Sequence, residues 1–402
     1  MPMQSAVTEN ITGAITALCG AEHTASSRGV ITVAPADTDQ VASVLRLAGQ
    51  AGLAVEPRGA GTKTAWLNDG RTSLILQTHR FSALREHIWQ DMTCTVGAGC
   101  AWSALQSALA RHGQFVALDP LWPDRATVGG IIAANDSGAL RLRYGGLRDI
   151  VLGMTIVLAD GTVARSGGKV VKNVAGYDLH KLMCGAFGTL GIVTEVTFRL
   201  HAIPGNTATL TVVSPSAEPL GNLLLQLLDS HFSTQSMQLR ASGEAFALDI
   251  RLAAIPEVLM PQTESLIALA GKQGLSAQPA LPEVWSAREK VMEHAAAFKA
   301  TMLPDEISRA SAAVLALGGT AVIQATGIMT GSVPSVACFP GLIALRRQLE
   351  SSGGSLTLLS ALPEAQIDRW GRLPQGTELM REIRRRFDPG ALLNPGRFLG
   401  GI

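Results

Sequence analysis

Two glycine-rich bends constrain this chain more than any other feature. Pro57-Arg58-Gly59-Ala60-Gly61-Thr62-Lys63 follows the short apolar run Leu53 to Val55, and Thr127-Val128-Gly129-Gly130 follows an apolar run that ends at Leu118-Asp119-Pro120. In the first bend Gly59 and Gly61 bracket Ala60, so successive N–H groups can turn inward as an anion-binding nest that only small residues permit. Arg58 offers a permanently charged fork, while Thr62 and Lys63 offer a hydroxyl and an ammonium. A polar hairpin between strands would use the same residues equally well. The second bend lets backbone lie flat against a planar ligand, where any Cβ would intrude. It leads into the small apolar stretch Ile131 to Ala134 and then Asn135-Asp136-Ser137-Gly138, a wall that ends in hydrogen-bonding groups. The pairing suggests a diphosphate-bearing cofactor held from two sides.

The common nucleotide signatures do not fit these bends. A P-loop needs glycine five positions before the residue preceding its lysine, and Pro57 stands there; G-x-G-x-x-G fails at Gly59 because the sixth residue is Thr64, and at Gly97 because it is Trp102. Gly97-Ala98-Gly99 instead reads as a turn from the strand-like Cys94 to Val96 into a helix over Trp102 to Arg111. A net charge of +1, with no basic run longer than Arg384-Arg385-Arg386, argues against nucleic acid and anionic membranes as partners. The apolar content of 47% with few aromatics fits an α/β or α+β enzyme, and no stretch is long and apolar enough to span a bilayer. Five cysteines, Cys19, Cys94, Cys100, Cys184 and Cys338, contain no C-x-x-C pair, so the chain offers no familiar spacing for a four-Cys cluster. No histidine pair has metal-ligand spacing, so no metal site is expected.

Several motifs, in one order, carry a family resemblance. Pro57 to Lys63, Asp119-Pro120, Thr127 to Gly130, Asn135 to Gly138, Arg143-Tyr144-Gly145, Asp149 and Gly188-Thr189-Leu190-Gly191-Ile192-Val193-Thr194-Glu195 resemble the vanillyl-alcohol-oxidase/PCMH-type FAD-binding family. Lys172 to Leu179, Lys181-Leu182 and the tail Asp388 to Gly396 are similar to its bacterial glycolate oxidase branch, on the side of the smaller FAD-binding subunit. The resemblance is strong over residues 30 to 205 and weak over 206 to 380.

It implies non-covalent FAD, since no His or Cys lies in either bend. Pro57, Arg58, Gly59, Ala60, Gly61, Thr62 and Lys63 would wrap the pyrophosphate, with Pro120 nearby. Thr127, Val128, Gly129, Gly130, Ala133, Asn135, Asp136, Ser137 and Gly138 would follow the ribityl chain and ring, Ser137 and Gly138 near N5. Gly191, Ile192 and Val193 would meet the adenine end, Tyr144, Gly145 and Asp149 would support the far side of the flavin, and Asn394 would belong to a returning tail. The implied function is oxidation of a small 2-hydroxy acid such as glycolate, in a complex with a larger homologous FAD subunit and an iron–sulfur subunit. The implied place is the cytoplasm, with the complex as the route to the inner membrane surface. Directly oxidising members of the family carry a paired-His metal motif in the C-terminal half; after Pro204 this chain has only lone histidines such as His231 and His294, so no catalytic residue is assigned. A stand-alone 2-hydroxy-acid dehydrogenase and a non-catalytic assembly subunit remain alternatives.

The expected fold is α+β: a two-lobed PCMH-type FAD-binding domain over 1–205, lobes about 1–80 and 81–205, then a smaller antiparallel α+β cap over 206–369 and a tail over 370–402 that returns to the first domain. Val41, Val44, Leu45 and Ala48 have amphipathic-helix spacing, with Asp37 at the cap position. Asp160-Gly161 marks a hairpin after Ile150 to Leu158, and His201 to Gly205 marks the domain boundary. Beyond it Thr207 to Val213 reads as strand, Leu220 to Leu228 and Gln262 to Gln273 as helices, and Met237 to Leu252 as a hairpin about Gly243. Trp285 and Arg288 fall on a helix, where Arg288 reads as solvated rather than as a carboxylate ligand.

Overall fold

The computed structural model describes residues 2–169, 176–294, 296–360 and 367–402. The chain forms two compact units: Met1–Ser137, Gly146–Ala202 and Leu373–Ile402 make the first, and Gly138–Gly145 with Ile203–Arg372 make the second. The segment 138–145 thus groups with the second unit, where the sequence reading had put it in the FAD domain.

The first unit begins with a helix, Pro2–Cys19, and a four-stranded sheet of β1 (Thr24–Ser27), β2 (Val30–Val33), β3 (Val55–Arg58) and β4 (Leu74–Gln77) in the order β1-β2-β4-β3. β2 and β3 both run parallel to β4, so a crossover is required, and the helix Thr38–Gln50 supplies it. Asp37 caps that helix by accepting from Gln40 N at 2.8 Å. Val41, Val44, Leu45 and Ala48 are buried against Ile31, Val33, Leu74 and Leu76, each large side chain contributing about 1.5–3 kcal/mol of burial.

A second, antiparallel sheet contains β5 (Leu84–Ile88), β6 (Thr93–Gly97), β8 (Val151–Val157), β9 (Val163–Gly167) and β10 (Ile192–Arg199) in the order β5-β6-β10-β8-β9, while β7 (Gln114–Phe115) pairs with β11 (His201–Ala202). β10 alternates buried and half-buried residues, as a sheet with one packed face requires. Its Phe198 meets Trp102 edge to face in a core completed by Ile131, Ile132 and Leu147. The tail helix Thr377–Phe387 precedes Leu393, which forms a parallel bridge with Val55 beside β3.

The second unit is one antiparallel sheet of eight strands: β12 (Thr207–Ser214), β13 (Thr234–Ser242), β14 (Ala245–Ala253), β15 (Ala277–Pro279), β16 (Ala296–Thr301), β17 (Thr320–Gln324), β18 (Ile328–Val333) and β19 (Ser355–Leu358), ordered β15-β12-β14-β13-β17-β18-β16-β19. The hairpin about Gly243 is present, and Gly243 takes φ 63°. The run Thr320 to Ile328 breaks into β17 and the start of β18, because Gly327 turns at φ 80° where a Cβ would lie 1.9 Å from Met302 O. The helix expected from Gln262 begins at Pro256, proline being well suited to a first helical turn. Leu220, Leu224, Leu266, Ile307, Val314, Leu342 and Leu349 cover one sheet face through Leu239, Leu248, Ile250, Phe298 and Met329. The other face is polar and also buried, with Gln238, Asp249, Gln324, Thr330 and Ser332 all at most 4% exposed. No described helix is long and apolar enough to cross a membrane.

Candidate functional site

Both glycine bends open onto one cleft of the first unit, about 880 Å³ counted with its mouth. The first bend leaves the end of β3, and its Gly61 holds φ 73°. At Gly59 a Cβ would lie 2.2 Å from Thr127 Oγ1, so the bends touch only because that side chain is absent. The second bend differs from the flat loop the sequence suggested. Thr127 caps a helix, Val128–Ala134, accepting from Gly130 N at 3.3 Å. Gly129 packs on Ala98, donating to its carbonyl at 2.7 Å, where a Cβ would come within 3.0 Å. Gly130 lines the cleft, and a Cβ there would meet only Thr127 Oγ1, at 3.2 Å.

Residues 57–63, Thr127, Gly129, Gly130, Ala133, Gly191, Ile192, Val193 and Asn394 all line this cleft. Pro120 and Val128 are buried outside it, and Asn135 is the left-handed C-cap of the short helix at φ 46°. Asp136 is turned into the protein: its Oδ2 accepts from Leu121 N at 2.8 Å and pairs with Lys63 Nζ at 3.3 Å. Lys63 is therefore a buried cation, with Trp66 and Trp122 ring centroids 5.6 and 5.4 Å from Nζ. Its ammonium binds protein, contrary to the role expected of it in the pyrophosphate loop. Ser137 is buried away from the cleft, and Asp149 accepts from Gly146 N at 2.8 Å to cap its own short helix. Gly138, Tyr144 and Gly145 belong to the second unit, where Tyr144 OH accepts from Gln235 Nε2 at 3.2 Å. Lys172 to Ala175 lie outside the described residues.

Sequence reasoning missed an ionic cluster in the cleft wall. Glu56, 5% exposed, accepts from Arg58 Nε at 2.7 Å through Oε1, and its Oε2 pairs with Arg397 Nη1, also at 2.7 Å. A glutamate directly after the apolar run Leu53 to Val55 was the one available signal. Arg397 also donates to Asn394 Oδ1 at 3.2 Å, and Asn394, at φ 43°, donates Nδ2 to Phe187 O at 2.8 Å and N to Val55 O at 2.9 Å. Behind them Arg384 donates to Thr189 O at 2.8 Å and Leu393 O at 2.6 Å, while Asp388 accepts from Leu392 N and Leu393 N. Burial lowers the Arg384 pKa, partly offset by Asp388.

Burial likewise pushes the Cys94 thiol up to about 12 and that of Cys184 to about 11, and all five cysteines are free. Among the described residues no group of three or more His, Cys, Asp or Glu is arranged to hold a metal ion.

A cleft with Gly59, Gly61 and Gly130 admitting close approach to backbone, and with threonine hydroxyls and arginines around it, has the chemistry of a nucleotide-cofactor site. Residues 30–167 match the FAD_binding_4 family, an FAD binding domain. Residues 30–167 thus form an FAD binding domain, and the cofactor is FAD. The chain is 36% identical over 183 residues to the glycolate oxidase subunit GlcD of Bacillus subtilis, covering 44% of this chain and 38% of that protein. It is 32% identical over 206 residues to a D-lactate dehydrogenase of Archaeoglobus fulgidus, covering 50% and 45%. The chain thus spans less than half the length of these relatives. An uncharacterized FAD-linked oxidoreductase of Mycobacterium tuberculosis is 28% identical, covering 91% of this chain and 90% of that protein. In three dimensions the chain is similar to alkyldihydroxyacetonephosphate synthase, with a TM-score of 0.69 at 16% identity, covering 91% and 76% of the two chains. The fold is that of the PCMH-type FAD-binding oxidoreductases.

Proposed function

We propose that this chain is the FAD-binding subunit of a glycolate oxidase-like complex that oxidises glycolate or a related 2-hydroxy acid to the 2-oxo acid. The observation that carries the reading is the junction of Gly59 with Thr127, which joins both glycine bends in a single cleft. The identity to a glycolate oxidase subunit supports the substrate class. FAD, when bound, supplies an acceptor for the two electrons removed from the substrate carbinol. In this reading the backbone of residues 59–62 binds the pyrophosphate, and Gly130 and Ala133 give the ring a wall without protruding side chains. Ile192 and Val193 bound the adenine end. Glu56 orients Arg58 toward the cleft and ties it through Arg397 to the tail.

In the second unit Arg288 is 6% exposed, unlike the solvated arginine expected there. Electrons would leave through an iron–sulfur partner, with a larger homologous flavin subunit in the same cytoplasmic complex. The absence of a paired-His motif after Pro204 supports a chain that works beside such partners.

The test is flavin content and turnover of the purified chain, alone and reconstituted with its co-purifying partners. Bound FAD with glycolate turnover only in the complex is the expected result. A chain that takes up no FAD overturns the cofactor assignment; full turnover in isolation makes it a stand-alone dehydrogenase.

A further inference from the structure

We propose that the second unit holds a separate binding site for a monocarboxylate with a short apolar body, in the cleft between the polar face of its sheet and the segment from Glu283 to His294. The cleft measures about 920 Å³ with its open mouth. Nothing in the function proposed above uses it.

The site starts from sheet register. Arg240 of β13 stands opposite Val322 of β17 and Ala247 of β14, which puts it on the face away from the hydrophobic core, where its neighbour Ala241 belongs. Two residues along β14, Asp249 shares that face and is 0% exposed. Its carboxylate accepts from Arg240 Nε at 2.6 Å and Nη2 at 2.8 Å, from Gln238 Nε2 at 3.0 Å and from Thr211 Oγ1 at 2.7 Å. Four donors satisfy the buried anion and fix the guanidinium plane. The bond to Asp249 also raises the Arg240 pKa, so the group stays charged.

Arg240 lines the cleft, whereas Asp249 does not. The Nη1 edge of Arg240 has no acceptor among the described residues. A guanidinium with one edge locked and the other facing a cleft is a preorganised fork for a carboxylate, since little side-chain entropy remains to be lost on binding. Lys290 lines the same cleft and forms no ion pair among the described residues, which supplies the net cation that the Arg240–Asp249 pair lacks. Val284, Val291 and Val322 offer the ligand's body an apolar wall. Glu283, on the same lining, opposes a second anionic group, so dicarboxylates and nucleotides are selected against.

Isothermal titration calorimetry of the full chain with hexanoate, adipate and hexanol tests the site. Hexanoate should bind saturably at one site, and adipate and hexanol should bind more weakly. Arg240→Met should raise the hexanoate Kd by about tenfold or more, the scale of a lost charge-assisted hydrogen bond. Lys290→Ala, at an exposed position that leaves the fold intact, should raise it several-fold and keeps the test decisive should Arg240→Met fail to fold. No saturable hexanoate binding, equal binding of hexanol, or an unchanged Kd in Lys290→Ala would overturn the proposal. So would competition between hexanoate and FAD, because no residue lining this cleft belongs to the first unit.

Discussion

Replacing Gly130 with alanine should push stability and cofactor affinity in opposite directions. Gly130 is the third residue of the helix Val128–Ala134, and helical alanine is favoured over glycine by about 0.5–1 kcal/mol. The new Cβ would meet one protein atom within 4 Å, Thr127 Oγ1 at 3.2 Å, a hydroxyl that can give by a few tenths of an ångström. The FAD-free protein should therefore melt at the wild-type temperature or slightly above it. The same Cβ projects into the cleft that Gly130 lines. If the flavin lies against that wall, overpacking costs about 1–3 kcal/mol, which weakens the FAD Kd about 5- to 150-fold. Fluorescence titration of FAD into stripped protein reads the affinity, and calorimetric melting with and without saturating FAD reads the stability. The reasoning is refuted if affinity stays within twofold of wild type, or if the stripped variant melts several degrees lower, since the glycine would then serve packing alone.

Lys63→Met removes the cation paired with the Asp136 carboxylate, which is 3% exposed, and should cost about 3–5 kcal/mol in urea denaturation. The double change Lys63→Met with Asp136→Asn should recover part of that loss, whereas additive losses would show that the two do not act as a pair. His180 is buried, and burial lowers its pKa below 6.5. Its unfolded form therefore binds more protons as pH falls through 6.5, so stability should decline below that pH, and less so in His180→Asn. The Cys94 thiol, raised to about 12, should resist iodoacetamide at mildly alkaline pH until the protein unfolds; rapid labelling of native protein would contradict its burial.

The bends were legible because their glycines answer a local demand: Gly61 needs a positive φ, and Gly59 needs room beside Thr127. The capped helix Thr38–Gln50 and the strand β10 were legible for the same reason, since cap chemistry and alternation are local signals. The helix Val128–Ala134 was misread because two glycines at its start hide its periodicity, and its packing on Ala98 is a long-range fact. Lys63 and Asp136 both looked like ligands for a cofactor, and only their distance shows that they bind each other. The Glu56–Arg397 pair joins opposite ends of the chain and leaves no periodic trace. Residues 138–145 were assigned by position in the chain, whereas their contacts place them with the second unit.

The returning tail sets an order of events during synthesis. A nascent chain that has emerged as far as the helix Thr377–Phe387 already contains both bends and the whole second unit, yet it lacks Asn394 and Arg397. The edge of β3 then has no Leu393 beside it, and Glu56 has only one of its two arginines. The cavity wall closes only once the stretch from Leu393 to Arg397 has joined the first unit, and a product cut short before it is left with an unfinished pocket.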